Sequence, residues 1–434
     1  MKRLLYQKLL EWKKDEKRKP LLLQGARQVG KTFLIHEFAK KEYAELVYLN
    51  FEQNPDLQTL FEANLGPQTI VNNISLYIGK KIEAQNTLIF FDEIQVAPKA
   101  LTSLKYFCEQ APEYHVIAAG SLLGVSVGRQ TAFPVGKVDF LTLYPMSFIE
   151  YLMAFEEELM AKRLSETKKI EPLPDILHKK LLDHLKMYLF LGGMPEVLQD
   201  YLDNRNIATV RKIQNNILQA YERDFAKYTD AVQAIKTSGL WQSIPRQLAR
   251  ENKKFKYSAV QKNARATAFA RTIQWLRQAG LIHPAYNISV PKMPISGYAD
   301  FSKFKLYVLD TGLLGAMLNL TSDIIVRPNA LFQEYNGAFI ENFVANELIA
   351  FGNKRLFYWT SKHDAEVDFI LQLNNDIYPL EVKSGLSRNL KSLRSYADKY
   401  NPKMIFRTSP RNFIRDKDFV NIPLYAAFII MNIV

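Results

Sequence analysis

The 434-residue chain is 48% hydrophobic and 23% charged, which fits folded globular protein and excludes a fibrous or disordered chain; its length holds about three domains. One cysteine, Cys108, excludes an internal disulfide, and six scattered histidines offer no zinc spacing. No apolar run reaches the roughly 18 residues of a membrane span and no signal-peptide core opens the chain, so the expectation is a cytoplasmic protein with no membrane partner. The net charge of +13 is local: residues 1–200 balance at 25 Lys/Arg and 25 Asp/Glu, residues 201–300 hold 16 against 6, and residues 301–434 hold 16 against 13. A basic block between near-neutral ones points to a polyanion, with a solvated basic face as the plainer alternative.

In chain order, an amphipathic helix is expected over residues 1–19 and a short strand at Leu21–Leu23. A helix follows over Thr32–Lys40, then strands at Leu46–Asn50, Leu88–Asp92, His115–Ala119 and Val138–Leu143. Helical stretches at Pro67–Ile82 and Lys99–Glu109 lie between them, which is the alternation of an α/β layer with a parallel sheet. From Pro145 the pattern is helical, over Ser147–Leu164, His178–Leu191 and Asn206–Lys227. Three further helical pieces, Val232–Leu248, Ser258–Ala264 and Arg265–Gln278, precede extended pieces at Leu281–Val290 and Phe304–Leu309, the order of a winged helix. A last unit sets a helix at Asn336–Ala350 among strands at Arg355–Trp359, Glu366–Leu373, Ile377–Val382 and Met404–Arg407. The greasy stretch from Leu424 onward reads as a terminal strand or buried tail.

Gly25-Ala26-Arg27-Gln28-Val29-Gly30-Lys31-Thr32 fits G-x-x-x-x-G-K-[ST], with Phe33 next on the helix it opens. Glycines let backbone N–H groups curl around phosphates, and the helix adds its positive end. Lys31 would reach the β- and γ-phosphates of ATP, and Thr32 would offer its hydroxyl to Mg²⁺. About sixty residues on, Leu88-Ile89-Phe90-Phe91 delivers Asp92 as the second Mg²⁺ ligand and Glu93 as the base for the attacking water. Ser121, after the strand at residue 115, is a candidate γ-phosphate sensor. Arg129 is a candidate finger for a neighbouring copy's site, which would make the chain a homo-oligomer.

Together with Gly120-Ser121-Leu122-Leu123-Gly124, Leu143-Tyr144-Pro145-Met146-Ser147-Phe148, Trp241-Gln242-Ser243-Ile244-Pro245 and Glu381-Val382-Lys383-Ser384-Gly385, these motifs resemble a family of bacterial and archaeal AAA-type ATPases over nearly the whole chain. The resemblance implies ATP binding and a multidomain layout, with a C-terminal region of unknown function and no stated cellular role. The expected architecture is α/β: a P-loop AAA-type core (1–145), a helical lid (146–230), a winged helix (231–325) and a C-terminal α/β domain (326–434).

Between Arg246 and Arg277 stand nine Lys/Arg against one acid, Glu251. Such a surface suits DNA phosphates, and the helix Arg265–Gln278, with Ala268, Ile273, Trp275, Leu276 and Ala279 toward the core, is a candidate recognition helix. Winged helices also dock proteins, so a protein partner stays open beside DNA. Near the end, Asp368, Glu381 and Lys383 match the D…E-x-K constellation of restriction-endonuclease-like folds, with Glu341 as an additional acid from the preceding helix. Carboxylates converging from paired strands would hold a second divalent ion, and Lys383 would stabilise charge. Two functions follow: a Mg²⁺-dependent ATPase coupled to DNA and a nuclease in defence, repair or mobile-element control, or a nucleotide-gated switch or scaffold that docks protein and cuts nothing.

Overall fold

A computed structural model describes residues 1–121, 133–250, 253–320, 336–361, 365–386 and 390–433. They form two compact units: Lys2–Tyr144 with Gln278–Gly280, and Pro145–Arg277 with Leu281–Val434.

The first unit is built on five parallel strands, β1 (Leu21–Gln24), β2 (Glu45–Asn50), β3 (Thr87–Asp92), β4 (His115–Gly120) and β5 (Asp139–Thr142), in the order β2-β3-β4-β1-β5. Burial follows position in the sheet. Every residue of β3 and β4 is buried, as central strands covered on both faces must be, whereas edge strand β2 alternates. Phe51, Phe61, Phe91 and Phe107 meet ring to ring at 5.4–6.4 Å under the helix Pro98–Gln110, each worth about 1.5–3 kcal/mol of burial. This layer holds the ends of β1 and β3 in register beside β4.

In the second unit the expected helix over 147–164 is two, Phe148–Ala154 and Glu158–Ser165, broken where Glu156 takes a left-handed φ of 63°. Ser147 and Glu150 form a reciprocal capping box at the first. The Gly192-Gly193 pair after Asp175–Leu191 is a close approach: a Cβ at Gly192 would strike the Asp310 carboxylate and one at Gly193 the Met146 carbonyl. The helices Pro195–Asn204, Thr311–Met317 and Lys391–Tyr400 are not among the expected elements, although Pro195 at a first helical position and Asp310 as N-cap mark two of them.

The helices Ala231–Leu248 and Ala266–Gln278 lead into an antiparallel ribbon, β6 (Ile282–Ile288) and β7 (Ala299–Val308). The piece expected as a helix over 258–264 is a single 3₁₀ turn, Tyr257–Ala259. The ribbon does not stand alone. β6 pairs in parallel with β8 (Leu356–Thr360), which pairs with β9 (Glu366–Val367), giving the sheet β7-β6-β8-β9 across the boundary expected at 325/326. A second sheet, β10-β11-β12-β14-β13, holds β10 (Phe369–Leu373), β11 (Asp376–Val382), β12 (Ile405–Ser409), β13 (Ile414–Asp416) and β14 (Phe419–Pro423). The single strand expected over 366–373 is thus divided between two sheets, with Asp368 at the break. The final apolar stretch is a buried tail with a 3₁₀ segment at Leu424–Met431.

Candidate nucleotide site and the C-terminal carboxylate cluster

The glycine loop connects β1 to the helix Lys31–Glu42. Gly25 and Gly30 have φ of 150° and 91°, and a Cβ on Gly25 would run into the Leu143 carbonyl, so only glycine fits there. Gln28 also adopts a positive φ of 66°. Ala26 and Val29 are buried, and Arg27 points to Glu52 at 3.3 Å. Arg3, which no motif marks, donates to the Val29 carbonyl at 2.8 Å and the Tyr144 carbonyl at 2.5 Å, tying the loop to the end of the core. Phe33 is 56% exposed, an apolar ring beside the loop.

Lys31 is buried, and its ammonium donates to the Gly25 carbonyl at 3.0 Å and the Ala26 carbonyl at 2.8 Å. Burial pushes its pKa down to about 8, against the pull of Glu93 and Asp92. Its hydrogen bonds go to neutral carbonyls while Glu93 and Asp92 act on it without a direct contact, and an anion would stabilise its charge further. Thr32 donates from Oγ1 to Asp92 Oδ2 at 2.8 Å, the two groups expected to share Mg²⁺. The residues present fit that ion: a hydroxyl and a carboxylate oxygen, both hard donors, meet beside a loop shaped for phosphate. Tyr48 donates to the same Asp92 oxygen at 3.0 Å and accepts from Asn50 at 2.9 Å; these two come from β2, where Asn50 faces Asp92 in register. Sequence reasoning misses them because nothing local marks a strand residue that reaches its neighbour.

Glu93 leaves β3 in a left-handed conformation, φ 51°, and its carboxylate accepts from the Gln95 amide. Ser121 is buried just past β4, while Arg129 lies outside the described residues.

In the second unit, Phe369 pairs with Leu380 across the antiparallel β10–β11 ladder, so Asp368 and Glu381 are the next opposed pair. Asp368 Oδ2 accepts from the Val382 amide at 2.8 Å, and Lys383 Nζ lies 2.5 Å from Glu381 Oε1. Glu381 Oε2 is buried with no partner among the described residues. Glu341 accepts from Lys305 at 2.8 Å, from Tyr307 at 2.5 Å and from Lys253. Lys305, fully buried on β7, also reaches Glu366 at 2.5 Å and Asp368 at 3.9 Å. Among the described residues no group of three or more His, Cys, Asp and Glu is arranged to hold a metal.

The electrostatics agree with that geometry. Burial disfavours the Glu341 carboxylate, yet Lys253 and Lys305 hold its pKa at about 2. Burial and then the Glu341 charge push Asp368 up to about 7, against both lysines. The carboxylates overcome the burial of Lys305 and keep it charged.

The basic block divides in the same way. Arg246, Arg250, Lys256, Lys262, Arg265, Arg271 and Arg277 are exposed, whereas Lys253 is spent on Glu341. The helix Ala266–Gln278 buries Phe269, Thr272, Trp275 and Leu276, so its core face differs from the expected one: Ala268 is exposed.

Residues 17–152 match the family model described as an AAA domain, a likeness consistent with the glycine loop and parallel sheet of the first unit. Residues 182–324 and 336–426 match two models, each described only as a domain of unknown function. The chain is similar to an uncharacterized protein of Mycobacterium tuberculosis, 32% identical over 93 residues that cover 20% of each chain. It is also similar to an uncharacterized protein of Methanocaldococcus jannaschii, 24% identical over 45% of this chain and 42% of that one. The matched stretches thus span less than half of these relatives. Solved structures with some likeness include a Walker-type ATPase of Pyrococcus abyssi (14% identity, TM-score 0.41, 72% of this chain and 94% of that one). Another is AMPPCP-bound DnaA from Aquifex aeolicus (14% identity, TM-score 0.29, 64% and 88%). Among the described residues no helix is long and apolar enough to cross a membrane.

Proposed function

We propose that this chain is a Mg²⁺-dependent ATPase whose nucleotide cycle is coupled to DNA contact through residues 246–277, and that its C-terminal constellation binds without cutting. The observation that carries the ATPase reading is the Thr32–Asp92 contact beside a lysine hydrogen-bonded to carbonyls. Lys31 would hold the terminal phosphates, Thr32 and Asp92 the ion, and Glu93 would take the proton from water once freed from Gln95. Mg²⁺ supplies charge neutralisation on the phosphates when bound. Ser121 keeps its place as a candidate sensor.

DNA contact is supported by seven exposed cations between Arg246 and Arg277, three of them (Arg265, Arg271, Arg277) at or along one helix that buries its opposite side. The non-cutting reading is favoured by Lys305, an ammonium already seated among Glu341, Glu366 and Asp368. The test measures ATP turnover and duplex affinity together. Wild type should bind duplex DNA with a steep salt dependence, and DNA should raise turnover. Reversing Lys262, Arg265 and Arg271 to Glu should lower the slope of log affinity against log salt by roughly 3, about 0.9 for each phosphate that is no longer neutralised. Undetectable duplex binding at low salt would replace this reading with the protein-docking switch. Plasmid cleavage with Mn²⁺ that vanishes in Asp368→Ala would restore the nuclease.

A further inference from the structure

We propose that an aromatic cleft among the helices Phe148–Ala154, Asp175–Leu191 and Pro195–Asn204 binds single-stranded nucleic acid, with bases stacked on Arg205 and Tyr201 and phosphate held by Lys179. The cleft has a volume of about 460 Å³. Its floor is a run of rings: Tyr151 is buried with its centroid 4.2 Å from Phe155, and Phe155 stacks with Tyr201 at 6.1 Å and 29°. The Arg205 guanidinium lies over two of them, 5.5 Å from the Phe155 centroid and 5.7 Å from that of Tyr201.

Arg205 is an unexpected residue for its place. It ends the helix Pro195–Asn204 at a left-handed φ of 50°, where glycine or asparagine would close the turn at less conformational cost. The strained turn sets a planar cation above two rings. Among the described residues no carboxylate pairs with Arg205 or Lys179, whereas Lys180 is matched by Glu157 at 2.6 Å and Asp183 by Lys186 at 2.9 Å. Both unmatched cations are exposed, and Ile176 on the rim is 78% exposed. Thus the cleft offers aromatic faces with a guanidinium plane over them, an apolar lip and two unneutralised positive charges.

A single strand is the polyanion that uses all three. Its base faces are free to stack on rings and on a guanidinium plane, and its phosphates take the cations; a duplex hides those faces. An acidic peptide would use the cations and leave the platform without a counterpart. The inference does not depend on the duplex contact proposed for residues 246–277.

The experiment uses the full chain without nucleotide and a fluorescein-labelled twelve-residue oligo(dT), read by fluorescence anisotropy at low salt. Arg205→Ala and Tyr201→Ala should each weaken binding by about fivefold or more, the loss of one stacked base. Arg205→Gly relaxes the left-handed turn and guards against misfolding, yet should lose affinity as Arg205→Ala does. Arg205→Lys keeps the charge and discards the plane, so it too should weaken binding while leaving the salt slope in place. Duplex affinity and basal ATP turnover should stay at wild-type values in all four. No oligo(dT) binding by wild type, or wild-type affinity in both Arg205→Gly and Tyr201→Ala, overturns the proposal. So does displacement of the oligonucleotide by poly-glutamate as readily as by unlabelled oligo(dT), which would assign the cleft to an acidic protein segment.

Discussion

Each unit of this chain buries a lysine next to strand-end carboxylates, and the two lysines are in opposite states. Lys31 is held by the carbonyls of Gly25 and Ala26, and burial lowers its pKa to about 8. Lys305 is enclosed by Glu341, Glu366 and Asp368, which keep its proton on. The first makes its hydrogen bonds to carbonyls and feels Glu93 and Asp92 without a direct contact, which leaves room for a phosphate. The second is already neutralised by its own chain. Two similar inventories of Lys, Asp and Glu therefore differ in what they can accept, and sidedness of charge decides it.

The strongest way to break this comparison is to empty the second site. Lys305→Met should strand buried carboxylates and cost about 3–5 kcal/mol, read as a fall in the urea midpoint. Adding Glu341→Gln should recover part of that loss; a single variant as stable as wild type would mean that Lys305 is not the counter-ion. At the first site, Lys31→Ala should abolish turnover or slow it by about 10²–10³-fold, measured as phosphate release. Glu93→Gln should retain nucleotide while slowing hydrolysis by about 10²-fold or more. Near-normal turnover in Glu93→Gln removes Glu93 from its role.

The pH dependence sharpens the contrast. Phosphate favours the charged form of Lys31, so nucleotide affinity should decline as pH rises from 7 through about 8. The decline should approach about tenfold per pH unit, followed by fluorescence of a labelled nucleotide. Affinity unchanged from pH 7 to 9.5 would place the lysine's proton outside the binding step. The smallest effect is expected at Tyr48→Phe. It deletes one hydrogen bond to Asp92, worth about 0.5–1.5 kcal/mol, and should raise the Mg²⁺ needed for half-maximal turnover a few-fold.

How much of this is legible in the sequence follows from how far each contact reaches along the chain. The glycine loop is local: its turn, helix start and lysine lie within eight residues, and β3 announces Asp92 by a run of apolar residues. The parallel core is readable for the same reason, since buried central strands are continuous apolar runs. Lys305 is not readable. From Phe304 onward β7 is buried on both faces, so the alternation that should mark an outward lysine is broken by a partner 36 residues away. Lys253 counts with the basic surface because a sequence shows charge but not its pairing, and its partner Glu341 lies 88 residues on. Asp368 reads as the interior of one strand because Glu366–Leu373 keeps a strand's composition through the point where the chain passes from one sheet to the other. The succession of helices and ribbon strands is visible, but the pairing of β6 with β8 is not, because parallel neighbours can be far apart in sequence.

An ammonium seated on β7 has a practical consequence, because a chelator cannot remove it. EDTA would withdraw Mg²⁺ from the nucleotide at Thr32 and Asp92 while leaving the Lys305–Glu341–Glu366 cluster as it stands. If the proposed Mg²⁺ site is right, chelation would silence turnover reversibly without touching the Lys305 cluster. Thermal melts with and without EDTA would then report on the nucleotide-dependent unit alone.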